Sequence, residues 1–203
     1  MSGAYISTLT ITLNAWAMSP AAANPVDAPS VTAKIQAPHC VLRLSKSKKT
    51  TESCYNTFTE GISDATGQQI TDAPANIKDA VADAAFDERI NSIALSKNSP
   101  HAAQENSNTV IGIEYQLNNH SGESKIIVAE RACSSDTGGP VDWQIDLTGS
   151  WWDNRISSFK AYASCYVNHY QFSNYTGDDF GWTGYGYPEM GNFDNRTTSI
   201  QWT

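Results

Sequence analysis

Tyr115-Gln116-Leu117-Asn118-Asn119-His120-Ser121-Gly122 and Tyr170-Gln171-Phe172-Ser173-Asn174-Tyr175-Thr176-Gly177 share the pattern Tyr-Gln-x-x-Asn-x-x-Gly at a separation of 55 residues. Each is followed by a second shared block. Asp153-Asn154-Arg155-Ile156-Ser157-Ser158 matches Asp194-Asn195-Arg196-Thr197-Thr198-Ser199 at a separation of 41 residues, so the first copy carries 14 extra residues between its blocks. Internal self-similarity in a fixed order marks two copies of one supersecondary unit. A glycine closing a hairpin lets the backbone take positive φ where the strand folds over, and the two ring residues ahead of it pack as a corner that fixes the fold-over. In the first copy His120 stands where the second ring would be.

The surrounding sequence points to strands. Of the 21 aromatic residues, 16 lie in the last 94 positions, separated by Gly, Asn, Asp and Ser turns. The stretches Val110–Tyr115, Lys125–Val128, Ser158–Tyr162 and Thr198–Trp202 are the best strand candidates, and an all-β sandwich accommodates them. Upstream, Cys40–Leu44 reads as a strand and 46–52 as a polar loop. Helical spacing appears over Tyr55–Ala65, with Gly67 as its stop, and again over Asn76–Phe86. The polar run from Lys97 to Asn108 is the expected domain boundary.

The resulting division is a signal segment over 1–24, a Pro- and Ala-rich linker over 25–38, a small α+β module over 39–109 and a β domain over 110–203. The signal assignment rests on an apolar stretch from Ala4 to Met18 running into Ser19-Pro20-Ala21-Ala22-Ala23, although a basic n-region is missing. Export and a secreted, extracellular location follow. No later stretch is long and apolar enough to span a bilayer. Four cysteines in an exported chain favour disulfides, and of three possible connectivities Cys40–Cys54 with Cys133–Cys165 is preferred because each pair lies within one half of the chain. Zinc is disfavoured by the lack of C-x2-C spacing.

These repeated blocks resemble the βγ-crystallin superfamily, whose Greek-key motif joins an aromatic-x4-aromatic-x-Gly hairpin to an (Asn/Asp)-(Asn/Asp)-x-x-(Ser/Thr)-Ser loop in its calcium-binding microbial members. The resemblance covers about 94 residues and implies a mainly β fold, a two-motif Greek-key sandwich preceded by a small α+β module. It also implies two calcium sites shared between motifs. One would use Asn195, the Arg196 carbonyl, Thr198 and the Gln116 carbonyl; the other Asn154, the Arg155 carbonyl, Ser157 and the Gln171 carbonyl, with Asp153 and Asp194 adding charge. Turns presenting carboxylate, carbonyl and hydroxyl oxygens suit calcium. The same turns could instead only cap strands by hydrogen bonding.

Function classes narrow accordingly. The net charge is −8, with −6 of it after Thr109, and the only basic cluster is Lys46, Lys48 and Lys49, so nucleic acid is not an expected partner. His39, His101, His120 and His169 stand in no motif relation to a nucleophile, and no catalytic signature occurs, so a non-enzymatic monomer is expected. Two alternatives remain open. A secreted peptidase (metalloproteinase) inhibitor would act on a secreted protease through the insertion containing Cys133–Pro140, by resemblance to secreted actinobacterial inhibitor-like proteins of this fold. A cell-surface or glycan-binding module would meet a polymer through Trp151, Trp152, Trp182, Tyr185 and Tyr187.

Overall fold

The computed structural model describes residues 38–47, 49–97, 108–134 and 139–203. The signal segment and the linker up to residue 37 lie outside the described residues. In chain order the elements are β1 (His39–Leu44), β2 (Thr51–Tyr55), α1 (Phe58–Ala65), α2 (Ile77–Ala82), α3 (Ala84–Lys97), β3 (Thr109–Leu117), β4 (Ser121–Ala129), β5 (Trp143–Asp146), β6 (Ser158–Ala161), β7 (Val167–Phe172), β8 (Thr176–Asp179) and β9 (Ser199–Trp202). They build two sheets, ordered β2-β1-β4-β3-β6 and β5-β9-β7-β8.

Each repeat lends one strand to the other's sheet. From the first repeat, β3, β4 and β6 form one sheet while β5 crosses to pair with β9 of the second, Trp143 opposite Trp202. In return Tyr187 of the second repeat bridges Phe159 on β6, with amide-to-carbonyl distances of 3.1 and 2.9 Å. This exchange makes each half depend on the other for a closed sheet.

The first sheet is covered on both faces. Leu42, Ile111, Ile127, Phe159, Ile200 and Trp202 fill the space between the sheets. On the opposite face Val41, Ile113, Ile126 and Val128 pack against Phe58, Ile62, Phe86 and Ile90 of the helices. Strands buried on both faces lose polar alternation, which explains the apolar run Val110-Ile111-Gly112-Ile113. A bulge between Val110 and Gly112 puts Ile111 and Ile113 on opposite faces although they are two residues apart. Each buried Ile or Val contributes about 1.5–3 kcal/mol by leaving water.

The N-terminal segment differs in places from expectation. Thr51 and Glu52, read as loop, belong to β2, whose edge pairing with β1 sets Cys40 opposite Cys54. The first helix starts at Phe58, not Tyr55, because Tyr55 is paired in the sheet and Thr57 caps the helix, its hydroxyl accepting from Glu60 N at 3.2 Å while the Glu60 carboxylate accepts from Thr57 N at 3.1 Å. It ends as expected at Gly67, whose φ is +62°. The second expected helix is two, broken at Asp83, whose carboxylate accepts from Ala85 N at 3.0 Å and so opens α3. The described residues belong to one compact unit, in which β1 runs parallel to β4 from His39↔Ser124 to Leu44↔Ala129.

Both preferred disulfides are present, Cys40–Cys54 and Cys133–Cys165. Closing a loop of this size is worth about 3 kcal/mol on the chain-entropy account. Among the described residues no helix is long and apolar enough to cross a membrane.

Candidate metal centres

Two corners position the centres, and their backbones match residue for residue. Tyr115 and His120 meet edge-on with ring centroids 5.1 Å apart, as Tyr170 and Tyr175 do at 6.0 Å. Asn119 and His120 have φ of 57° and 51°, their counterparts Asn174 and Tyr175 56° and 59°, and the closing Gly122 and Gly177 79° and 83°. A Cβ on Gly122 would sit 2.9 Å from the Leu117 side chain, and one on Gly177 2.5 Å from the Phe172 ring. His120 therefore fills the missing ring's place. Its Nε2 carries a proton to the Phe159 carbonyl at 3.1 Å, since a carbonyl only accepts, and burial holds its pKa below the usual value.

The last serine of each loop block closes the corner of its own repeat. Ser158 Oγ donates to Leu117 O at 2.6 Å and accepts from His120 N at 3.0 Å. Ser199 Oγ does the same with Phe172 O at 2.6 Å and Tyr175 N at 3.0 Å. Sequence reasoning gives neither serine a role, although its recurrence at the end of both loop blocks is a signal that could have found it.

This closure decides which hydroxyl faces which hairpin. Ser157 N donates to Tyr115 O at 3.0 Å and Thr198 N to Tyr170 O at 2.9 Å. Ser157 thus stands beside Gln116, and Thr198 beside Gln171. Gln116 and Gln171 lie at bulges, between Tyr115 and Leu117 and between Tyr170 and Phe172. The Asp-Asn starts of the loops cross instead. Asn195 N bonds Ile156 O and Asn154 N bonds Thr197 O, both at 2.9 Å. Ser157 Oγ lies 3.4 Å from Asn195 Oδ1, and Thr198 Oγ1 donates to Asp153 Oδ1 at 2.8 Å.

These side-chain contacts pair the hydroxyls the other way round from the assignment that the resemblance implies. Ser157, next in the corner to Gln116, meets Asn195, which follows Asp194; Thr198, next to Gln171, meets Asp153, which precedes Asn154. The guanidinium of Arg196 reaches Asp178 of the second hairpin at 2.8 Å. Arg155 stacks over Trp151 at 4.5 Å. Strand pairing explains the exchange: Tyr115↔Ser158 and Tyr170↔Ser199 are partners in register, so each hydroxyl one residue earlier stays with its own hairpin.

The donor set fits a hard cation. Each cluster offers a carboxylate, an amide oxygen, a hydroxyl and backbone carbonyls, the oxygens calcium takes at six to eight positions. Asp194 Oδ1 is buried without a hydrogen-bond partner, an arrangement that costs free energy unless a proton donor or cation meets it. Asn154 and Asn195 both hold φ of 55°, the left-handed region in which asparagine is enriched.

Other clusters lack this character. Cys40, Glu52 and Cys54 converge, yet both sulfurs are in a disulfide and offer no thiolate. Asp87-Glu88-Arg89-Ile90-Asn91-Ser92, which is similar in sequence to the loop blocks, lies inside α3. Asp87 there accepts from Tyr162 OH at 2.7 Å and Lys160 Nζ at 2.5 Å, and Asn91 accepts from Ala163 N at 2.9 Å, so it docks the helix on β6. His169, on β7, joins Glu114 on β3 at 3.0 Å with both side chains buried, tying the sheets together. Of the expected surface aromatics, Trp152 is core at 3% exposure, whereas Tyr185 is 79% and Tyr187 40% exposed. Residues 135–138 of the candidate inhibitory loop lie outside the described residues.

Solved structures similar to this chain are βγ-crystallin domains, the superfamily the repeats resemble. The domain from Clostridium beijerinckii is 18% identical, aligns with 45% of this chain and 95% of its own, and gives a TM-score of 0.35. The N-terminal domain of protein S is 16% identical over 46% of this chain and 94% of its own, with a TM-score of 0.35. A βγ-crystallin domain from Flavobacterium johnsoniae is 15% identical over 46% and 93%, with a TM-score of 0.34. No protein-family model and no curated protein matches the chain.

Proposed function

We propose that this is an exported, non-enzymatic βγ-crystallin-like protein whose two inter-repeat oxygen clusters bind calcium and thereby stabilise the fold. The observation that carries the reading is the Asp194 carboxylate oxygen buried without a partner, one residue before Asn195, whose Oδ1 lies 3.4 Å from Ser157 Oγ. The Arg155 and Arg196 carbonyls complete the proposed ligand list. A bound ion would tie the loop of one repeat to the hairpin and hydroxyl of the other, adding a cross-link where the sandwich halves meet. Glutamines at 116 and 171 contribute only neutral groups, which suits an affinity in the extracellular range of about 10⁻⁴ M.

Calcium at a hundredfold excess over Kd stabilises a protein by about 2.7 kcal/mol per site. For a chain of this size that is a rise in Tm of about 5–10 °C per site. Thermal melting with and without calcium tests this: the wild type gains that increment, Ser157→Ala and Thr198→Ala each lose part of it, and the double variant loses it all. A calcium-indifferent Tm in the wild type would refute the reading. The glycan-binding alternative rests on Tyr185 and Tyr187. Trp152→Ala would disrupt the core and cannot test it.

A further inference from the structure

We infer that the two centres are unequal, and that the one built on Asp194, Asn195, Ser157 and Gln116 takes calcium first. The inference rests on the calcium reading above and concerns the differences between two otherwise matching sites.

In the Asp153 centre the key carboxylate oxygen is already satisfied. Asp153 Oδ1 accepts from Thr198 Oγ1 at 2.8 Å and from Asn154 Nδ2 at 3.1 Å. A cation entering there must displace both donors, turning the hydroxyl proton and the amide away from the oxygens it needs. In the Asp194 centre Oδ1 has no partner, and the hydrogen bond between the side chains of Ser157 and Asn195 is long, at 3.4 Å. A cation there gives up one weak contact and relieves a buried, unsatisfied carboxylate oxygen. Each ordinary intramolecular hydrogen bond is worth a net factor of about five, more when one partner is charged.

The second hairpins differ in the same direction. Asp178, two residues short of Phe180 and beside the Asp153 centre's Gln171, is neutralised by Arg196 at 2.8 Å. Its counterpart in the first hairpin is Glu123, which closes no ion pair: the matching Arg155 stacks on Trp151 at 4.5 Å and acts on Glu123 only through its field. The acidic residue whose amide meets the Gln116 side chain thus lacks a direct ion pair, whereas the one whose amide meets the Gln171 side chain has one.

The test is isothermal calcium titration of the full chain and of Asp194→Asn and Asp153→Asn, each checked for the wild-type fold by circular dichroism. The wild type should show two steps differing about tenfold or more in Kd. Asp194→Asn should remove the tighter step and Asp153→Asn the weaker. Loss of the tighter step in Asp153→Asn, or equal constants with equal losses in both variants, overturns the inference and leaves calcium binding intact. No heat and no binding in the wild type overturns the calcium reading itself. Should a variant unfold, a wild-type crystal soaked with less than one equivalent of calcium separates the same outcomes: density at Asp194 supports the order, and density at Asp153 alone reverses it.

Discussion

The two repeats are alike where they fold and unlike where they hold charge. At the corners the correspondence is close: an edge-on ring pair with His120 in place of the second tyrosine, the same positive-φ positions, the same glycine and the same serine bridging a carbonyl and an amide. At the loops the backbone bonds still match to a tenth of an ångström, yet Asp153 is hydrogen-bonded and Asp194 is not. Folding constrains the corner because each corner has only one way to close. The side-chain oxygens around the loops are free to diverge, and the difference between sites resides there.

The largest expected effect comes from breaking a corner. Ser158→Ala leaves the part-buried Leu117 carbonyl and the buried His120 amide unmet, at a cost of about 2–3 kcal/mol, read as a drop in the urea midpoint at unchanged slope. Ser199→Ala should cost somewhat less, since Tyr175 is only half-buried. A difference in the opposite sense would mean the corners are not equivalent in energy. Next come Gly122→Ala and Gly177→Ala, each about 1–2 kcal/mol for an alanine held at φ near +80°. The extra clash is small because Leu117 and Phe172 are half-exposed and can swing aside.

The smallest effect sharpens the comparison of His120 with Tyr175. Burial lowers the His120 pKa, so the unfolded chain binds more protons than the folded one near and below the ordinary value of 6.5. Stability from this group is complete above that pH and declines as pH falls through it. His39, also lowered by burial, acts in the same direction. His120→Tyr, which makes the first corner like the second, should flatten the decline in Tm between pH 7 and 5, leaving the part due to His39. An unchanged pH profile would show that His120 is not a source of it.

Much of this was legible in the sequence. Strands β1, β3, β4, β6 and β9 and the two repeated blocks follow from residue pattern, because period and glycine position are local signals, and the disulfide pairing present is the one preferred among three. Three features were not. Thr51–Tyr55 is too polar and exposed to announce a strand, and it becomes one because β1 offers it an edge. The Asp83 break depends on a side chain capping the next helix. The partition of Ser157 and Thr198 between hairpins depends on strand register across a sandwich in which β5 and Tyr187 change sheets, and linear spacing carries no record of it.

A double-mutant cycle on calcium affinity tests the crossed arrangement most directly. Thr198→Ala combined with Asp153→Asn should be non-additive by about 1 kcal/mol, since the two side chains share one centre, whereas Thr198→Ala with Asp194→Asn should add within about 0.5 kcal/mol. Coupling of Thr198 to Asp194, with Asp153 additive, would contradict the account.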